Sequence, residues 1–188
     1  MGNFYTNYAL RGPTQNEVAA ALVGRNAVVA PQRNGCVVVF DEQSDEQDMG
    51  RITELVSQLS RTLRCPVLAI LNHDDDVLWY QLQQSGKLID DYNTSPGYFE
   101  EPAESSDPAG GDARKLCAAF GAGNVAVVEA ILRKPSCDPD GYVFAFDRHV
   151  DLAHALGLPE FVVGTAFASF DHDEYPESLT SADIVRTV

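Results

Sequence analysis

The run Val67-Leu68-Ala69-Ile70-Leu71 places the tightest constraint on how this chain can fold. Side chains alternate across a strand, so Val67, Ala69 and Leu71 share one face while Leu68 and Ile70 share the other. Both faces are apolar. A sheet covered on one side only would show a polar opposite face, so material must pack on both sides of this strand.

The N-terminal elements supply one of those layers. FYTNYAL (4–10) is rich in aromatic and β-forming residues and reads as a first strand, ended by Gly12-Pro13. Thr14 with Glu17 three residues later is a capping box, predicting a helix over about 15–23. NAVVAPQ (26–32) and CVVVFDE (36–42) then form a hairpin, because Asn34-Gly35 accepts the positive φ values of a tight turn. Ile52, Leu55, Val56, Leu59 and Leu63 recur at helical spacing, predicting a helix over roughly 46–63. The acids of DEQSDEQD (41–48) precede it, where the helix's partial positive charge favours them. Pro66 opens VLAILN (67–72), and turns at His73–Asp76 and Gln84–Lys87 lead into VLWYQLQ (77–83) and LIDDY (88–92).

The order is therefore β-α-β-β-α-β followed by a β-meander. It resembles the ferredoxin-like arrangement, which implies an antiparallel sheet with both helices on one face. The expected fold is α+β, an antiparallel sheet of five to six strands with a mostly helical C-terminal half packed on its second face. Residues 1–93 form the sheet core and 94–111 an acidic, Pro/Gly-rich loop. Residues 112–188 form a mainly helical lobe, making one compact unit with the core. In that lobe helices are expected over 112–121, 124–134 and 147–157, with a short strand at 141–146 and a strand or mixed element at 161–170. The last residues read as surface.

Thirteen Lys and Arg against 28 Asp and Glu leave a net charge of −15. Such a surface repels phosphate backbones and anionic lipid, which argues against nucleic-acid and membrane roles. It suits a basic protein partner, a cation, or simply solubility. No apolar run is long enough to span a bilayer, and the N-terminus lacks the pattern of a secretory signal. Met1-Gly2 is compatible with myristoylation, but Thr6 falls in a strand and no basic patch supports an acyl anchor. Cys36, Cys65, Cys117 and Cys137 contain no CxxC pair and read as reduced structural thiols of a cytoplasmic, bacterial-type protein.

Four groups of residues have chemistry-bearing composition. His73, Asp74, Asp75 and Asp76 combine the ligand types of a divalent-metal site, although Asp residues also make good turns and adjacent residues at a turn diverge. Asp147, His149, Asp151 and His154 lie on one helix, where Asp147 is placed to cap and the two His are five apart, unlike the metalloprotease spacing. Asp171-His172-Asp173-Glu174 is a further acidic patch with no EF-hand spacing. Trp79, Tyr80, Tyr92, Tyr98 and Phe99 cluster near Asp90 and Asp91. Trp79 and Tyr92 beside those carboxylates would hold a cationic group, or Trp79 would pack under the C-terminal helices.

Nucleophile-elbow, P-loop and dinucleotide motifs are missing. The expectation is a non-enzymatic acidic interaction or regulatory protein, monomeric or homodimeric, that binds a basic partner without a cofactor. The alternatives are a metal-assisted hydrolase built on His73–Asp76, or a small-ligand sensor with a pocket between sheet and C-terminal lobe near Trp79 and Tyr92.

Overall fold

The computed structural model of the chain describes residues 2–98, 107–136 and 140–188. Phe99, Cys137 and residues 99–106 of the expected acidic loop lie outside the described residues. Strands β1 (Tyr5–Arg11), β2 (Ala27–Val29), β3 (Cys36–Asp41), β4 (Pro66–His73), β5 (Val77–Gln84), β6 (Lys87–Asn93), β7 (Ala109–Gly110) and β8 (Val185–Thr187) form one sheet. Its order is β7-β6-β5-β4-β1-β3-β2-β8, and every neighbouring pair is antiparallel.

Local chemistry accounts for the first elements. In helix α1 (Gln15–Ala21) the Thr14 hydroxyl oxygen accepts from the Glu17 amide, while Glu17 accepts from the Thr14 amide at 2.8 Å, so two otherwise orphaned donors are satisfied. Asn34 and Gly35 have φ of 51° and 76° between the paired amides of Arg33 and Cys36, a two-residue hairpin turn. Two acids of the run 41–48 serve the fold directly. The buried Asp41 carboxylate accepts from Ser44 and forms a two-point pair with Arg25 at 2.5 and 2.9 Å. Asp48 caps helix α2 (Met49–Leu63), accepting from the Arg51 amide. A 3-10 turn over Glu42–Glu46 and a left-handed Gln47 (φ 57°) precede that helix.

The sheet has apolar layers on both faces. Tyr8, Leu10, Val37, Val39, Val67, Ala69, Leu71 and Trp79 pack against Val18 and Leu22 near α1 and Ile52, Leu55, Val56 and Leu59 of α2. On the other face, Val38, Phe40, Leu68, Ile70, Tyr80 and Tyr92 meet the C-terminal helices α3 (Ala113–Phe120), α4 (Val125–Arg133), α5 (Ala145–Leu156) and α6 (Phe167–Asp171). The two-faced β4 thus sits between helical layers. Trp79 lies on the α1/α2 face, not under the C-terminal helices.

Three C-terminal expectations are corrected. Residues 141–146 form no strand: α5 already begins at Ala145, and the Tyr142 amide donates to Pro135 O. Residues 161–170 are two short helical pieces, because Gly164 (φ 73°) breaks the extended run and Phe167 and Phe170 turn into the core together. The tail is not all surface, since Val185–Thr187 adds an edge strand to β2. With the two-residue β7, this raises the sheet to eight strands among the described residues. Cys36 and Cys65 are buried free thiols and Cys117 is partly buried; burial pushes Cys65 up to about 11. No helix among the described residues is long and apolar enough to cross a membrane.

Candidate functional site

A cleft of about 630 Å³ opens on the α1/α2 face, above the last rungs of β4, β5 and β6. Register places its floor. Leu71 pairs with Trp79, Trp79 with Asn93, and His73 with Val77, so all five project from one side of the sheet. Because α2 starts only at Met49, this end of the sheet is bounded by the turn at Asp45, Glu46 and Gln47 instead of by a helix. Leu71, Val77 and Trp79 are nearly buried, Trp79 keeping 9% exposure, whereas Phe4 and Met49 at the rim are 49% and 41% exposed. Among the described residues that line it there is no lysine or arginine.

Hydrogen bonds orient the polar part of this cleft. Gln47 Nε2 donates to the Asn72 carbonyl at 2.8 Å, which turns Gln47 Oε1 toward His73 Nδ1 at 2.6 Å. An amide oxygen only accepts, so His73 carries its proton on Nδ1. The His73 ring also meets Phe4 edge-on, with centroids 4.9 Å apart, and lies 5.9 Å from Tyr98. Asn72 continues the network through the sheet, its Nδ2 donating to the Tyr5 hydroxyl at 3.3 Å. That hydroxyl lies 2.7 Å from Nδ1 of the fully buried His149. Since the Asn72 amide, with the Gly164 amide, favours the hydroxyl oxygen as acceptor, the Tyr5 proton points to His149. Desolvation holds His149 down at about 3, and its Nε2 has no hydrogen-bond partner among the described residues.

The residues singled out by composition are mostly separated. Asp74 and Asp75 (φ 53° and 62°) are the centre of the β4–β5 turn, closed by the Asp76 amide on His73 O at 3.0 Å. Each carboxylate has its own donors. Asp74 accepts from the Gly2 amide, Asp75 from the Asn3 amide and side chain and from Asn72, and Asp76 from the Tyr98 hydroxyl. His73 alone of the four lines the cleft. Among the described residues no group of three or more His, Cys, Asp or Glu side chains is disposed to hold a metal.

Trp79 and Tyr92 stand on opposite faces. Tyr92 stacks on Tyr80 (5.2 Å), donates to Leu132 O at 2.8 Å and is pushed by burial up to about 12. Asp90 shares that buried face, accepting from the Tyr80 hydroxyl at 2.7 Å and the Asp112 amide at 2.8 Å. Asp91 is exposed beside Gln81. A joint cation site of Trp79, Tyr92, Asp90 and Asp91 is therefore ruled out by strand alternation. The acidic residues that line the cleft with Trp79 are instead Asp45 and Glu46.

The remaining candidates are dispersed as well. Asp147 is exposed and does not cap α5, whose N-terminus has no side-chain cap, the Ala145 amide donating to Asp75 O at 2.6 Å. Asp151 accepts from the Tyr142 hydroxyl at 2.6 Å, and His154 is exposed on the same helix, away from His149. Asp171 pairs with Arg186 at 2.9 Å, and His172, Asp173 and Glu174 are exposed.

Two features had no usable signal in sequence. Arg148 is completely buried, donating to the Ile131, Lys134 and Pro135 carbonyls at 2.7–3.1 Å and to the Tyr92 hydroxyl at 3.0 Å, with its guanidinium over the Tyr142 ring. An Arg in an amphipathic helix ordinarily reads as solvent-facing. Gln47, Met49 and Asn93 come to the cleft from three different elements, and only the fold brings them together. Comparison with family models, curated proteins and solved structures finds no match for the chain.

Proposed function

We propose that the chain is a small-molecule binding protein whose ligand occupies the cleft beside Trp79. The observation that carries this reading is the composition of the cleft: an apolar floor of Leu71, Val77 and Trp79 facing hydrogen-bonding groups on Gln47, His73 and Asn93. A concave, mostly apolar space with a few oriented polar groups is the usual form of a ligand site, and about 630 Å³ falls inside the usual size range. The network through Asn72 holds Gln47 and His73 in one arrangement, so little ordering remains for a ligand to impose.

Trp79 is the only tryptophan of the chain, so its emission reports on this cleft directly. Titration with small aromatic and alicyclic compounds should shift that emission saturably, and a Leu71→Trp variant that fills the floor should lose the binding calorimetrically. A chain for which no such compound perturbs Trp79 emission or the melting temperature is not a ligand-binding protein of this kind.

The acidic surface supports a second reading, a basic protein partner. The net charge of −15 leaves an excess of carboxylates over basic groups, which attracts a basic surface. Salt-sensitive capture of one specific basic protein would favour it. The Asp74, Asp75 and Asp76 carboxylates are each engaged by separate donors, which disfavours a metal-assisted hydrolase built on them. The strand order β4-β1-β3-β2, with both intervening helices on one face, supports reading the segment up to His73 as ferredoxin-like.

A further inference from the structure

We infer that the cleft beside Trp79 selects a small organic cation with an apolar body, and that Asp45 supplies its counter-charge. This rests on the cleft being a ligand site and adds the ligand's charge. Two acidic residues line the cleft, and they differ. Glu46 is bonded to Arg51 Nη1 at 2.6 Å, so its charge is already offset. Asp45 makes no ion pair among the described residues. Its Oδ1 and Oδ2 accept from the backbone amides of Phe167 (3.2 Å) and Ala168 (2.8 Å), which fix its orientation and favour its charged form.

Among the described residues no arginine acts on Asp45 appreciably. Arg25 is held by Asp41 and Arg186 by Asp171, the two carboxylates whose repulsion acts on Asp45. Desolvation raises the proton affinity of Asp45, the Ala168 and Phe167 amides offset part of that, and repulsion from Asp41 and Asp171 adds to it. A partly desolvated, uncompensated carboxylate attracts a cation more strongly than one in water does. An indole ring in the same cleft adds attraction for that charge, and the exposed Phe4 and Met49 can cover an apolar body. The net charge of −15 works in the same direction, concentrating cations and repelling anions.

Three probes that share a benzyl or phenyl ring separate charge from shape: benzylammonium, benzyl alcohol and benzoate. Titrated into the full chain and followed by Trp79 emission and calorimetry, benzylammonium should bind at least about 5-fold more tightly than benzyl alcohol, a factor in the range of one charge–aromatic contact. Benzoate should bind most weakly. The benzylammonium advantage should shrink as salt is raised. In a folded Asp45→Asn variant it should fall to within about two-fold of benzyl alcohol, with benzyl alcohol itself unaffected. If that variant does not fold, the wild-type series and its salt dependence decide alone. Benzyl alcohol binding as tightly as benzylammonium would overturn the charge preference and leave the ligand site standing. Absence of binding by all three would overturn both.

Discussion

His149 makes folding of this chain acid-sensitive by an amount that can be worked out. The ring is fully buried, receives the Tyr5 hydroxyl proton on Nδ1, and has no partner on Nε2 among the described residues. A second proton would have to displace the Tyr5 bond and put a charge among apolar residues. An ordinary His titrates near 6.5 in the unfolded chain, whereas this one is held down at about 3. Between those values the unfolded chain binds more protons, so stability falls as pH drops from 6.5 toward 3 and is flat from this group above and below. At pH 5, about 1.5 pH units below the unfolded value, the loss relative to pH 8 is about 2 kcal/mol. Urea unfolding followed by Trp79 emission at pH 8 and pH 5 measures it against His149→Gln, which keeps an acceptor for Tyr5 but does not titrate. Other acids and bases contribute equally to both proteins, so the difference in their pH slopes isolates His149. Equal slopes, or an imidazole resonance of His149 titrating near 6.5 in the folded protein, would refute the reasoning.

Two further outcomes follow from the same physical chemistry. Arg148→Met fills similar volume but leaves the Ile131, Lys134 and Pro135 carbonyls without their donor, and should cost roughly 3 kcal/mol in denaturant unfolding. Thr14→Ala removes one half of the α1 capping box and should cost about 1 kcal/mol, with the tertiary fold intact by near-ultraviolet dichroism.

The elements that depend on short-range chemistry were legible from residues alone. The Thr14–Glu17 box, the Asn34-Gly35 turn, the α2 stripe and the alternation of β4 are each decided within a few positions of sequence, by periodicity, φ preference or capping. The two-sided apolarity of Val67–Leu71 also implied correctly that helices cover both faces of the sheet. Short apolar stretches near the C-terminus were ambiguous for the same reason in reverse. FVVGTAFASF suits a strand or a helix by propensity, and Gly164 together with docking on Phe40 made it helical.

The cleft belongs to tertiary structure. Trp79 was visible as a candidate, and its neighbours on alternate faces were predictable once the strand was placed. Its actual companions were not. Asp45, Gln47 and Met49 precede β4 by about twenty residues, and Phe4 and Asn93 come from the ends of two other segments. The buried acceptor set around Arg148 and the Tyr5–His149 pair likewise join residues up to 144 positions apart. Sequence by itself determined which residues form strands and helices in the first half, because those choices are local. Only the packed sheet decided which polar side chains meet, because strand register and the start of α2 set distances that no spacing along the chain encodes.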